Sequence, residues 1–172
     1  MKIFIASDIH GSAFWCEKML EAYKKEKSDR LLLLGDILYH GPRNDLPKDY
    51  SPKEVIRMLS CFKEDILCVR GNCDTEVDQM VLPFPILSDY VVIFDSGVTI
   101  YATHGHKFGK NNPPPIKKGD VLVCGHTHIA EDLDCDGFRY VNPGSVSIPK
   151  ENSGHGYVIF ENGSFTRKLL EE

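Results

Sequence analysis

Leu31-Leu32-Leu33-Leu34-Gly35-Asp36 is the stretch on which the reading of this chain turns. Four leucines without a polar interruption describe a strand buried on both faces, the kind found in a parallel sheet covered by helices. The run breaks at a glycine and delivers a carboxylate. In such sheets functional groups sit where strands end and loops begin. A carboxylate has two oxygens and can hold two cations at once. Asp36 is therefore read as a bridge between two metal ions, with other strand ends supplying the remaining ligands.

Upstream, residues 2–7 form a short β-rich run that ends at Asp8-Ile9-His10-Gly11. Two residues apart on an extended chain, Asp8 and His10 point to one side and can chelate one divalent ion. Residues 12–27 carry a helical stripe of Trp15, Cys16, Met19, Leu20 and Tyr23, with Glu21 and Lys25 as an i,i+4 pair on the wet face. Strand, helix and strand of these lengths make a parallel pair, so Asp8 and Asp36 emerge on the same edge of the sheet.

Downstream, a long loop holds His40-Gly41-Pro42-Arg43-Asn44. Arg43 either grips a phosphate oxygen through its forked donors or is an ordinary exposed arginine. Ser51, Pro52 and Glu54 are read as the cap, first turn and capping box of a second helix. Residues 66–69 form a third strand, ending at Arg70-Gly71-Asn72-Cys73-Asp74. The amide oxygen of Asn72 is a neutral metal ligand in waiting, and Asp74 either orients a neighbour or caps the next short helix. Residues 90–94 and 98–103 pair around Asp95-Ser96-Gly97, and the second of them ends at His104-Gly105-His106. Residues 121–124 lead into Gly125-His126-Thr127-His128. Strands at about 129–133 and 138–141 turn at Asp136-Gly137, and Asn142-Pro143-Gly144-Ser145 reads as a tight loop. Residues 156–160 and 164–169 close the chain around Asn162-Gly163.

The chain of 172 residues fits one domain, residues 1–172, with 42% apolar and 26% charged content, as in globular proteins with a real core. A net charge of −5 with no basic patch argues against a nucleic-acid partner. It leaves room for one small anion in a metal-lined pocket. No apolar run is long enough to span a membrane, and the N-terminus does not resemble a secretory signal. The six cysteines form no Cys-x-x-Cys pair, and Cys68 and Cys124 lie inside apolar strands. They read as reduced thiols of a cytoplasmic protein. Exposed strand edges leave a homo-oligomer open.

Four of the seven histidines, His10, His104, His126 and His128, follow directly on apolar strands beside glycines. The set offers nitrogen and oxygen ligands and no obligatory thiolate. That suits Mn²⁺, Fe²⁺, Zn²⁺ or Ni²⁺ better than a cysteine-bound structural zinc.

In their order, Asp8-x-His10, Gly35-Asp36, Gly71-Asn72-x-Asp74, His104 and Gly125-His126-x-His128 resemble the calcineurin-like metallophosphoesterases. The resemblance runs from Met1 to about Ser147. Residues 40–44, 71–78 and 142–147 carry a further likeness to the small bacterial phosphodiesterases of the YfcE type. The resemblance implies an α/β four-layer αββα sandwich of two mixed β-sheets flanked by helices. It implies two divalent ions, Mn²⁺ foremost. Asp8, His10, Asp36 and His128 would hold the first, and Asp36, Asn72, His104 and His126 the second. The catalytic set is expected to be Asn72, Cys73 and Asp74, with His40, Arg43 and His106 binding substrate. Two divalent ions against the charges of Asp8 and Asp36 leave about +2 in the pocket, which attracts a phosphodiester monoanion. Metal binding lowers the pKa of water from 15.7 to about 7, a bias of roughly 12 kcal/mol. In-line attack by the resulting metal-bound hydroxide on a small phosphodiester therefore needs no side-chain base.

One position departs from the pattern. Much of the superfamily has histidine where this chain has Cys73, and a thiol is a poor proton donor to a leaving group. Acidic leaving groups are the expectation, with His40 or His106 as alternative donors. Phosphomonoester hydrolysis on nucleotides or phosphoproteins uses the same metals and is the second reading. The third is a non-catalytic scaffold, as in the retromer subunit of this fold.

Overall fold

The computed structural model of the protein describes residues 1–171. Strands and helices alternate first: β1 (Lys2–Ala6), α1 (Ala13–Glu26), β2 (Arg30–Leu33), α2 (Pro52–Ser60), β3 (Ile66–Cys68) and α3 (Glu76–Val81). Seven strands follow: β4 (Tyr90–Asp95), β5 (Val98–Thr103), β6 (Val121–Val123), β7 (Ala130–Asp134), β8 (Arg139–Pro143), β9 (Gly156–Glu161) and β10 (Ser164–Leu169). They make two five-stranded mixed sheets, β10-β9-β1-β2-β3 and β4-β5-β6-β8-β7. The parallel pairs are β1/β2, β2/β3, β5/β6 and β6/β8.

The leucine run behaves as a two-sided strand. Leu31, Leu32, Leu33 and Leu34 are fully buried. Leu31 and Leu33 join Phe4, Ala6 and Tyr157 in packing against Trp15, Met19 and Val55 of the helices. Leu32 and Leu34 join Ile5 and Phe160 in packing against Ile100, Val123 and Val141 of the second sheet. Each such side chain contributes roughly 1.5–3 kcal/mol by leaving water. The two mixed sheets flanked by helices are the architecture the resemblance implied. All three helices lie in the first half of the chain, with α1 and α2 against the first sheet. Over the outer face of the second sheet, Leu122, Phe138 and Tyr140 are covered by Ile116 of the long 104–119 segment.

Helix α1 starts as the sequence predicts, with Ser12 Oγ accepting from the Trp15 amide at 3.2 Å. Its surface pairing differs. Glu21 pairs with Lys18 at 3.2 Å, and Lys25 lies 3.8 Å from Glu171 of the chain's end, so the expected Glu21–Lys25 pair is not made. The expected capping box of Ser51 and Glu54 is also absent. The Ser51 backbone is tied to Gly11, whose carbonyl accepts from its amide at 2.8 Å, and the Ser51 side chain makes no cap bond. The box is built instead on α3, where Thr75 and Asp78 cap one another. Asn142-Pro143, expected in a loop, continues β8. Asn142 Nδ2 donates to the Gly125 carbonyl at 2.8 Å and thereby holds the loop that carries His126.

The parallel pairing has one consequence for chemistry. The carboxyl ends of β1, β2 and β3 share one rim of the first sheet, and those of β5 and β6 share one rim of the second. The His126 amide donates to Asp8 Oδ2 at 3.0 Å, and His104 Nδ1 lies 2.7 Å from the Leu34 carbonyl; these two contacts join the two rims.

Candidate metal centre and active site

Seven side chains from five strand ends meet where the rims join. Asp8, His10, Asp36, His104 and His128 are each at most 3% exposed, an unusual fate for charged and titratable groups. On one side, His10 Nε2 and His128 Nε2 lie 3.2 Å apart, and Asp8 Oδ1 is 3.6 and 3.3 Å from them. On the other, His104 Nε2 lies 3.0 Å from Asn72 Oδ1 and 3.2 Å from His126 Nδ1. Asp36 Oδ2 stands between the two sides, 3.7 Å from His10 Nε2 and 3.5 Å from His104 Nε2.

The ring orientations follow from backbone carbonyls. Nδ1 of His10, His104 and His128 is 2.7 Å from the carbonyls of Tyr39, Leu34 and Ile148 respectively. A carbonyl only accepts, so Nδ1 carries a proton and each ring turns its Nε2 inward, with a lone pair there in the neutral form. Asp8 Oδ1 is buried with no hydrogen-bond donor. Lone pairs converging this closely are reconciled only by positive charge, a proton or a metal ion. The residues therefore fit a cation. Donor atoms of Asp8, His10 and His128 all lie within 4.8 Å of one another, as do those of Asp8, Asp36 and His104. The electrostatics agree. Burial disfavours a charged Asp8, yet His10 and His128 hold its carboxyl well below the usual range. Burial likewise opposes a charged His104, yet Asp36 and Asp8 raise it to about 9.

The backbone is strained at the same atoms. Asp8, His10, Asp36, His126 and His128 have φ values of 59°, 49°, 56°, 67° and 63°. The left-handed region costs a residue with a Cβ roughly 1–2 kcal/mol. Tertiary contacts hold these residues there. Asp74 accepts from the amides of Asp36 (2.8 Å), Ile37 (2.9 Å) and Gly71 (2.7 Å). Ser145 and Ser147 both donate to the Asp8 carbonyl, at 2.8 and 3.0 Å. At Gly71 a Cβ would lie 2.0 Å from Asp36 Oδ1, and at Gly125 one would lie 1.8 Å from Ser7 Oγ. The glycines beside the ligands are there because backbone must pass against them.

Of the two roles expected for Asp74, the orienting one matches the geometry, and the helix cap is Thr75. Asn72 is exposed and Cys73 half-buried at the mouth of a cavity of about 370 Å³. Burial and the nearby Asp36 push the Cys73 thiol up to about 12, so it stays protonated at neutral pH. Arg43 lines this cavity. His40 does not. Its ring packs between those of Tyr39 and Tyr50, at 4.7 and 5.2 Å. His106 is exposed outside the cavity lining, with its ring 5.4 Å from that of His104. The sequence reading missed Lys150 and Thr127, which also line the cavity. Lys150 carried a faint signal, since it lies just beyond the 142–147 segment whose serines grip Asp8. The orienting carbonyls had none, because any residue supplies one.

Over residues 1–164 the sequence matches the family described as the calcineurin-like phosphoesterase superfamily domain. The chain belongs to that superfamily, a class of enzymes that hydrolyse phosphoric esters. It is 43% identical to phosphodiesterase YfcE of Escherichia coli (strain K12) over 162 residues, which cover 94% of this chain and 88% of that protein. The solved structure of YfcE, described as a phosphoesterase from E. coli, superposes with a TM-score of 0.92 at 39% identity, covering 99% of this chain and 100% of that one. A Vps29 structure from Entamoeba histolytica superposes with a TM-score of 0.62 at 19% identity, covering 98% and 97%, which is a likeness of fold alone. Among the described residues, no helix is long and apolar enough to cross a membrane.

Proposed function

We propose that this protein is a binuclear metal-dependent phosphodiesterase acting on small phosphodiesters. The observation that carries the reading is the shared position of Asp36 Oδ2, within 3.7 Å of the inward nitrogen of His10 and 3.5 Å of that of His104. Asp8, His10, Asp36 and His128 would hold one ion, and Asp36, Asn72, His104 and His126 the other. Bound there, divalent ions supply Lewis acidity, a lowered pKa for water and neutralisation of phosphate oxygens. Nitrogen and oxygen donors without a thiolate suit Mn²⁺, the ion we assign, and equally Fe²⁺, Zn²⁺ and Ni²⁺.

The chain's own groups do the rest. The carbonyls of Tyr39, Leu34 and Ile148 keep three imidazoles aimed inward, so those rings need no reorientation when substrate binds. Asp74 fixes the turn that carries Asp36. Cys73 presents a neutral thiol at the cavity, a weak donor to a departing oxygen, which favours leaving groups that depart without a proton. The similarity to a protein named phosphodiesterase supports the diester preference. Six free cysteines suit the reducing cytoplasm, the location we assign.

The test is hydrolysis of bis-p-nitrophenyl phosphate beside p-nitrophenyl phosphate, with metal-stripped protein titrated with Mn²⁺. Diester cleavage that needs Mn²⁺ and exceeds monoester cleavage is expected. Faster cleavage of the monoester would replace the reading with a phosphomonoesterase. Turnover of neither by protein with bound metal would move it to a scaffold.

A further inference from the structure

The chain has six arginines, and five of them have an acceptor. Arg30 donates to the Glu64 carbonyl, Arg70 to that of Asp74, and Arg167 to that of Pro143. Arg57 and Arg139 pair with Glu54 and Asp132. Among the described residues Arg43 has none, and Arg43 lines the candidate active cavity. Lys150, whose ammonium is also without a partner among the described residues, lines the same cavity.

Both side chains stand on anchored backbone. Asn44 Nδ2 donates to the His40 carbonyl at 2.7 Å, which closes the loop around Arg43. Gly41 in that loop lies so near Cys73 that a Cβ would be 3.3 Å from its sulfur. The Lys150 amide donates to the carbonyl of the ligand His128 at 3.0 Å, and its own carbonyl accepts from Ser153 at 2.9 Å. The loop of Arg43 therefore runs beside Cys73 and the backbone of Lys150 beside His128, which brings two cationic residues on separate loops to one cavity.

Charge decides what they are for. Two divalent ions over Asp8 and Asp36 already leave about +2, or about +1 with a nucleophilic hydroxide counted, for a scissile group that carries one negative charge. Two further cations are surplus for a diester with neutral arms. They match a second, dianionic group, and a forked guanidinium with a point-charge ammonium is suited to phosphate. Resting on the phosphodiesterase reading, we propose that Arg43 and Lys150 form an anion subsite that binds a second phosphate group of the substrate, set beside the scissile phosphodiester.

Calorimetry on Mn²⁺-loaded protein would compare thymidine 3′,5′-bisphosphate with thymidine 5′-monophosphate, a readout that needs no turnover. The bisphosphate is expected to bind about 10-fold tighter or more. The preference should shrink in Arg43→Ala and in Lys150→Ala and fall to about 1–2-fold in the double variant, with Arg43→Lys intermediate. Thermal melting would confirm that each variant is folded. Equal binding by the wild type, or a preference that survives in the folded double variant, overturns the subsite. A kinetic arm uses the 5′-p-nitrophenyl phosphodiester of thymidine with and without a 3′-phosphate. If both esters turn over with equal kcat/KM, the subsite falls and the phosphodiesterase stands. If neither turns over while the bisphosphate preference disappears in the variants, the subsite stands and the diester reading falls.

Discussion

The two halves of the candidate metal centre are built differently. In the half made by Asp8, His10 and His128, every residue is at most 3% exposed. Both rings there are fixed by carbonyls, and Asp8 Oδ2 is fixed by the His126 amide. In the half made by Asn72, His104 and His126, only His104 is buried and only its ring is fixed by a carbonyl. Asn72 is exposed and His126 half-buried. Prebuilt, enclosed donors lose little entropy on binding an ion, whereas donors that face a cavity must be ordered. The enclosed half should hold its ion tightly, and the open half should be the one that exchanges and meets substrate.

Asp36 belongs to both halves, so its loss should be the largest effect. Asp36→Asn is expected to lower bis-p-nitrophenyl phosphate hydrolysis by more than the about 10–100-fold that partners of metal ligands cost. It should also disturb Mn²⁺ binding at both halves. A variant that keeps one half's affinity unchanged would break the sharing. Next comes Asp74→Ala, which removes the acceptor of three amides around Asp36 and Gly71. Leaving those donors unmet should cost about 1–3 kcal/mol in urea unfolding and weaken the open half together with Asp36. His126→Ala sharpens the contrast itself. It should weaken the looser of two Mn²⁺ ions by more than about 10-fold and leave the tighter one near its original affinity, read by calorimetry. Equal weakening of both would mean the halves act as one unit.

The smallest effect lies outside both halves and serves as their reference. Glu26 meets Lys2, Lys168 and Tyr157 where α1, β1, β9 and β10 come together. Burial opposes its charge, but Lys168, Lys2 and Tyr157 lower its pKa from 4.5 to about 2. A folded-state pKa below the unfolded one gives stability that is present above about pH 4.5 and is lost as the pH falls towards 2. With solvent screening allowed for, that is about 1 kcal/mol. Glu26→Gln should therefore be less stable than wild type at pH 7 and nearly equal to it near pH 2, with metal affinity at pH 7 unchanged.

Much of the site could be read in one dimension because every candidate ligand follows directly on a strand. Leu31 to Leu34 announce a buried strand, and Asp36 must then lie at its exit. The same logic placed Asn72 after β3 and His126 and His128 after β6. It misjudged His40, because its loop position is compatible with a ring facing the cavity and with a ring packed between Tyr39 and Tyr50. Only the neighbours choose. It misplaced the capping box because the Ser51 backbone is held by Gly11, forty residues away in the chain, and a local motif carries no trace of such a contact.

Periodicity and strand ends are local properties, so the chain order of side chains sets which elements form and which residues stand at their exits. Distances across the two sheets are not local. That Asp8 faces His128, that Asp36 reaches both halves, and that Arg43 and Lys150 share a cavity all depend on two rims being closed by hydrogen bonds such as the His126 amide to Asp8. The left-handed φ at five ligands has the same origin. No isolated Asp or His prefers it, and the packing of the whole sandwich supplies the free energy that holds it.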